Sequence, residues 1–424
     1  MDQSQSSRFR FCQWKFIICS ATAYMFFYLT RKNLSMAQPA MLEEGVISTY
    51  ALGTIMTIHG VLYGVSRFVN GFWADRLNGR VFMAAGLALS ALTNFLFGCT
   101  SVSILFGIFW IVNGWTQGMG FPPCAKMLTH WIHPKELATK MSIWNTSHSF
   151  GAVMALGLCS FMFAIGLGWR WCFWVPAALA GCVAVFTFFC VKDSPKEDGL
   201  PPLDLDTGVA KESGDVSTAD RRRLVFGNRV IWLVAIANFF VYIVRFGFLD
   251  WGPTFLKQYK DIPVTKGGLM IIAFELAAVV GTIFAGWVTD RLFGGRGVRT
   301  CVFCMLFAAL FSLGFWYLPA HAPIWQATLL LMGAGFFIYG PQALIGIVAA
   351  NQATKEAAAM ANGFTGIMGY ASTIVSGIGI AFIKEHFGWG VTLCSISGFA
   401  LVGMVMFLFA WSAKADGYRA KSAK

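Results

Sequence analysis

The sequence predicts an all-α polytopic membrane protein, with twelve transmembrane helices in two pseudo-symmetric six-helix bundles. Three observations point there. The chain is 57% hydrophobic and only 12% charged, with a mean hydropathy of +0.63, whereas soluble domains carry about 25% charged residues. Twelve apolar stretches reach the roughly 20 residues that a helix needs to cross a bilayer. One long polar insert, near residues 192–227, divides those stretches six and six.

The spans are expected near residues 14–38, 49–74, 81–100, 102–128, 139–166 and 170–191 in the first half, and near 229–256, 264–290, 299–318, 323–350, 357–383 and 388–412 in the second. The first bundle then occupies 1–191, a cytoplasmic linker 192–227 and the second bundle 228–424. Residues 1–15, MDQSQSSRFRFCQWK, are polar and basic, and no small-residue cleavage site follows the first apolar run. The first span is therefore expected to remain as an anchor.

Orientation follows from lysine and arginine, which collect on the cytoplasmic side. Arg8 and Arg10 precede span 1, Arg76 and Arg80 follow span 2, the insert contains Arg221 to Arg223, and the tail ends in Lys421 and Lys424. The opposite loops CTSVS and LPAHAP contain no basic residue, although Lys257, Lys260 and Lys266 gather between spans 7 and 8. Both termini are therefore expected in the cytoplasm. The net charge of +12 belongs to that face, so a nucleic-acid partner is excluded.

Metal and redox chemistry find little support. Cys19, Cys159, Cys182 and Cys190 lie in apolar segments and read as small hydrophobes. CVFC at 301–304 opens an apolar helix without a second cysteine pair, so a structural reading is preferred. His130 and His133 form an HxxH with no carboxylate beside it and read as interfacial.

The two halves repeat. GFWADRLNGR begins at Gly71 and GWVTDRLFGGRG at Gly286, so Asp75 and Arg76 align with Asp290 and Arg291 at an offset of 215. Gly118 and Gly120 then meet Gly333 and Gly335. Parallel six-helix repeats joined by a cytoplasmic linker mark transporters. The G-x-x-x-D-R turn resembles the loop signature of the major facilitator superfamily.

The repeat gives meaning to Arg31, which lies with Lys32 inside the oily stretch 16–41. Its counterpart is Arg245, at an offset of 214, and both follow a tyrosine by three residues: Tyr28 with Arg31, Tyr242 with Arg245. That spacing puts each Tyr on the face of its Arg. Ionisable residues inside a membrane default to function, and two related by a repeat point to a central site. A pair of guanidiniums calls for a dianion, because Arg forms planar bidentate hydrogen bonds to phosphate and keeps its proton.

YLTRKN, GMGFPPCAKMLTHW, WNTSHSFG, DSPKEDGLPP, YIVRFGFLDWGPTFLK, YGPQALIG and NGFTGIMGY together resemble the organophosphate:phosphate antiporter family of the major facilitator superfamily. The similarity spans nearly the whole chain. Residues 242–257 look closest to the glycerol-3-phosphate branch, whereas FELAAVVGTIFAGWVTDRLF also resembles the hexose-6-phosphate branch. The resemblance implies that Arg31 and Arg245 bind the phosphoryl group, that Tyr28 and Tyr242 border it, and that His148 contributes to binding or coupling. Without the resemblance, His148 reads as a core histidine satisfied by a neighbour. The resemblance also places Lys32 near the site among switchable ion pairs, with Asp250 and Glu275 as candidate acids; fixed structural pairs are the alternative.

The function expected is exchange of an organic phosphate ester for inorganic phosphate by rocker-switch alternating access, in a monomer of the bacterial cytoplasmic (inner) membrane. The lipid bilayer is the other expected partner, and no cofactor or metal is expected. A membrane sensor of external hexose phosphate with the same fold is the alternative. A membrane phosphatase finds no nucleophile–base pair in the spans, and a carrier of neutral solutes leaves both arginines unexplained.

Overall fold

A computed structural model describes residues 3–132, 140–141, 143–201, 218–319 and 322–413. The first half comprises α1 (Gln3–Glu43), α2 (Thr49–Arg76), α3 (Gly79–Cys99), α4 (Ser103–Gln117), α5 (Phe121–Trp131), α6 (Ser147–Ala164) and α7 (Trp171–Cys190). After a short 3₁₀ turn at Pro195–Asp198 come α8 (Thr218–Phe226), α9 (Arg229–Lys260), α10 (Val264–Arg291), α11 (Gly297–Tyr317), α12 (Ile324–Ala371) and α13 (Ile380–Phe409). No strand occurs among the described residues.

Local chemistry sets the helix ends. Ser48, Asn78 and Asn228 cap α2, α3 and α9, each side-chain oxygen accepting a first-turn backbone N–H. The expected fourth span, 102–128, breaks at Gly118-Met119-Gly120 into α4 and α5. Helix α5 restarts with Pro122 and Pro123 in its first turn, where proline's missing N–H costs nothing. A Cβ on Gly120 would lie 3.1 Å from the Phe27 ring, so glycine there lets the break sit against α1.

One helix holds two of the expected spans. The 48 residues of α12 do not run straight. A Cβ on Gly346 would lie 2.9 Å from Asn362 Oδ1, a residue about 24 Å away along a straight helix, so the two spans fold back on each other. The connecting stretch NQATKEAAAMAN contains no Gly or Pro, and its alanines favour helix, so the reversal between spans 10 and 11 keeps helical backbone bonding. The boundary before span 12 shows instead as Gly388, at φ 76 within α13.

Eight helices of the described chain are long and apolar enough to cross a membrane. The other expected spans differ for identifiable reasons. Helices α1 and α2 bury polar side chains, among them Thr30, Lys32, Asn33, His59 and Asn70, while α4 and α5 are 15 and 11 residues long.

The chain forms two compact units, Met1–Ala51 with Ile58–Gly208, and Leu52–Thr57 with Val209–Lys424. Within the first, α1 packs on α6 and α7, and α3 packs on α4 and α7. The start of the linker is tied down there: Asp193 Oδ1 accepts the Gly79 N–H at 2.7 Å, and Glu197 lies 3.5 Å from Arg80. The rest of the expected linker, 202–217, lies outside the described residues. Within the second unit, α12 packs on α9, α10 and α11, while α13 packs on α9 and α11. Lys257 and Lys260, expected in a loop, belong to the last turn of α9. Lys260 is buried and donates to the Leu318 carbonyl.

Candidate functional site

In the first unit, α1 sets Tyr28 and Arg31 one turn apart. The Arg31 guanidinium carbon lies 5.6 Å from the Tyr28 ring centroid and 4.0 Å from that of Tyr63 on α2. Tyr63 is buried, and a desolvated cation–π contact of this kind contributes about 2 kcal/mol. His148 joins the group: its ring centroid is 5.6 Å from that of Tyr28. Gly151 makes this possible, since a Cβ there would come within 2.7 Å of the Tyr28 Cβ, so only glycine lets α6 sit this close to α1. His148 Nδ1 bonds the Asn145 carbonyl, and Nε2 lies 3.4 Å from Ser149 Oγ. Arg31, Tyr28 and His148, named from sequence, are thus brought together.

Two neighbours escaped the sequence reading. Tyr63 gave no signal of its own. Arg67 did, being a cation inside the stretch 49–74. It lies one turn beyond Tyr63, with its guanidinium carbon 4.1 Å from the Phe121 ring centroid. Lys32 is buried on α1, about 100° around the helix from Arg31.

In the second unit, Arg245 is 8% exposed on α9. Its guanidinium carbon lies 5.7 Å from the Tyr242 ring centroid and 4.8 Å from that of Tyr339 on α12. The Tyr339 hydroxyl donates to Glu275 Oε1 at 2.8 Å and also hydrogen-bonds Arg245. The result is a relay from guanidinium through phenol to a carboxylate that is 2% exposed on α10. Tyr242 meets Tyr370 at 5.9 Å between centroids, and Gly369 lets α12 approach: its Cβ would lie 3.4 Å from the Tyr242 ring. Both units therefore place an Arg among tyrosines, with a glycine admitting the neighbouring helix. Asp250 is half-buried further along α9.

The loop-motif residues cap helices. Arg76 ends α2 and Arg291 ends α10, with Asp290 beside it, and all three are exposed. A Cβ on Gly71 or on Gly286 would meet nothing within 4 Å. The side chain of Asp75 lies outside the described ones. Lys126 Nζ donates to the Ala74 and Leu77 carbonyls at 3.0 Å each, satisfying carbonyls at the C-terminal end of α2. Among the described residues no three His, Cys, Asp or Glu gather as a metal site. His130 Nδ1 lies 3.2 Å from the Asp193 carbonyl oxygen, and His133 lies outside the described residues.

Residues 20–377 match the Major Facilitator Superfamily. The chain is 34% identical to the "Probable hexose phosphate transport protein" of Chlamydia pneumoniae, over 94% of this chain and 91% of that one. It is also 34% identical to the glycerol-3-phosphate transporter of Bacillus subtilis, over 92% and 90%. To the membrane sensor protein UhpC of Salmonella typhimurium it is 33% identical, over 90% and 88%. The crystal structure of a bacterial homolog of the human lysosomal transporter Spinster superposes with a TM-score of 0.82, covering 97% of this chain and 99% of that one at 13% identity. That likeness establishes the fold alone. The chain is a multi-pass membrane protein, not an enzyme, that belongs to the major facilitator superfamily and, within it, to the organophosphate:phosphate antiporter family.

Proposed function

We propose that this chain exchanges an organic phosphate ester, glycerol-3-phosphate or a hexose-6-phosphate, for inorganic phosphate across a bacterial inner membrane, acting as a monomer with both termini in the cytoplasm. Arg31 and Arg245 bind the phosphoryl group in this reading, with Tyr28, Tyr242 and His148 bordering it. The observation behind it is that each unit buries or half-buries one arginine of the sequence repeat against tyrosine rings, Tyr28 and Tyr63 in one, Tyr242 and Tyr339 in the other.

Charge supports a dianion. The middle of the spans contains Arg31, Lys32, Arg67 and Arg245 against Asp250 and Glu275, an excess of two positive charges. A net excess of positive charge in a low-dielectric interior is expensive. An empty carrier therefore resists closing, and one loaded with a phosphate dianion does not. Exchange follows, because only the loaded form reorients readily. Lys32, Asp250 and Glu275 serve as ion-pair partners during that step, and the Gly71-Asp75-Arg76 and Gly286-Asp290-Arg291 turns clip the cytoplasmic helix ends.

The likeness to UhpC keeps one second reading, a sensor of hexose phosphate. Counterflow into proteoliposomes loaded with phosphate, challenged with a panel of phosphate esters, decides between them. A carrier accumulates labelled ester only when phosphate is inside, whereas a sensor that binds without exchange accumulates none.

A further inference from the structure

The peptide that joins Thr30 to Arg31 is held by side chains from two other helices. Asn94 on α3 and Asn113 on α4 each donate an amide N–H to the Thr30 carbonyl oxygen, at 3.0 and 3.1 Å. A carbonyl in mid-helix ordinarily accepts only the N–H four residues on. The donors are themselves fixed. Ser90 Oγ donates to Asn113 Oδ1 at 2.5 Å, Gln117 Nε2 donates to Thr30 Oγ1 at 3.1 Å and to Ser90 Oγ at 2.9 Å, and Asn33 Nδ2 donates to Asn94 Oδ1 at 2.8 Å. All six residues are 3% exposed or less.

Helix packing alone does not explain this network. At the repeat offset of 215, the residues matching Ser90, Asn94, Asn113 and Gln117 are Met305, Ala309, Thr328 and Met332. Helix α11, the counterpart of α3, contains neither Asn nor Gln, so the second unit packs the equivalent helices mostly with apolar side chains. There, Arg245 is steadied through Tyr339 and the Glu275 carboxylate. The network beside Arg31 is built only from neutral groups. It can fix the backbone that bears the guanidinium without adding an anion that competes with phosphate. Asn33 Oδ1 at its edge has no hydrogen-bond partner among the described residues, but the side-chain oxygens of both donors to the Thr30 carbonyl are paired. Buried networks so paired rigidify what they hold, and binding groups need such support to stay within about 0.5 Å of their working geometry.

We propose that Asn94 and Asn113 are positioning residues for Arg31, setting its height and direction through the Thr30 carbonyl and so tuning affinity for the phosphoryl group. This rests on the reading of Arg31 as a phosphoryl ligand. The test measures equilibrium binding of inorganic phosphate to the purified full-length protein, beside its ligand-free thermal stability. Asn94→Leu and Asn113→Leu should each weaken phosphate binding about ten-fold, the worth of one lost hydrogen bond to a buried group. The double variant should fall well short of the product, since both donors act on one carbonyl. Phosphate exchange at saturating phosphate should change little.

Thr187→Val on α7 is the control. Its buried hydroxyl donates to the Val183 carbonyl at 2.6 Å and makes no contact with the network, so it should lower stability and leave phosphate binding alone. If the leucine variants cannot be purified folded, Asn94→Ser and Asn113→Ser replace them, since the smaller side chain admits a water, and the same reading applies. Normal phosphate binding in the Asn variants, with only stability lowered as in Thr187→Val, would overturn the proposal. Arg31→Ala, measured alongside, separates the two claims. Unimpaired binding there sinks the role of Arg31 itself, whereas lost binding there with normal binding in the Asn variants sinks only the positioning role.

Discussion

The Tyr339 hydroxyl donates to Glu275 at 2.8 Å while the Tyr339 ring lies 4.8 Å from the Arg245 guanidinium carbon. One phenol thus joins a buried cation to a buried anion. Tyr339→Phe keeps the ring but removes the donor, leaving a carboxylate that is 2% exposed short of one hydrogen bond. The expected loss is about 1–3 kcal/mol of stability, read as a lower thermal midpoint in detergent. An unchanged midpoint would show that the bond contributes nothing.

Glu275→Gln tests the electrostatic side of the same relay. A negative charge beside Arg245 opposes a bound anion, so its removal should tighten phosphate binding by about ten-fold, the effect of roughly 1.4 kcal/mol. Exchange should slow, because a tighter dianion leaves more slowly. Weaker binding in Glu275→Gln would mean that the acid supports the phosphate site rather than opposing it.

Lys32 is buried on α1, and two roles for it make different predictions. If it exchanges acidic partners during transport, Lys32→Ala should slow translocation more than it weakens ligand binding. A fixed structural pair would instead make binding and expression collapse together. Comparing equilibrium binding with exchange rate in this one variant separates the roles, and the first outcome is expected.

Glycine substitutions should divide sharply by position. Gly151→Val drives a side chain into the Tyr28 Cβ, 2.7 Å from the position of the new Cβ, and overpacking of this kind costs about 1–3 kcal/mol. It should also push His148 away from Tyr28 and weaken phosphate binding. Gly71→Ala and Gly286→Ala enter open space and should leave thermal stability unchanged. Equal destabilisation across the three would contradict the packing described.

Much of this was legible in the sequence because membrane helices announce themselves by composition, and because a repeat turns one odd residue into two. Arg31 and Arg245 stand out that way, each with its tyrosine three residues earlier. What stayed hidden depends on contacts between helices. Tyr63 on α2 covers Arg31, while Tyr339 on α12 covers Arg245, so the covering aromatics break the repeat and no offset could find them. Arg67 is visible as a cation within a span, but the residue at the repeat offset of 215 is Thr282, so the repeat supplies it no partner. The broken fourth span had its signal in GMGFPP. The helical reversal inside α12 has none, since a loop and a helix both tolerate its polar stretch.

The central claim is that Arg31 and Arg245 both bind the phosphoryl group shared by the two substrates. Exchange of labelled phosphate by Arg31→Lys and Arg245→Lys proteoliposomes tests it most directly. Lysine keeps the charge and loses the planar fork, so each variant should be strongly impaired with phosphate and ester alike. Near-normal phosphate exchange in either variant would contradict the account, and a defect confined to the ester would move that arginine to the organic part of the substrate.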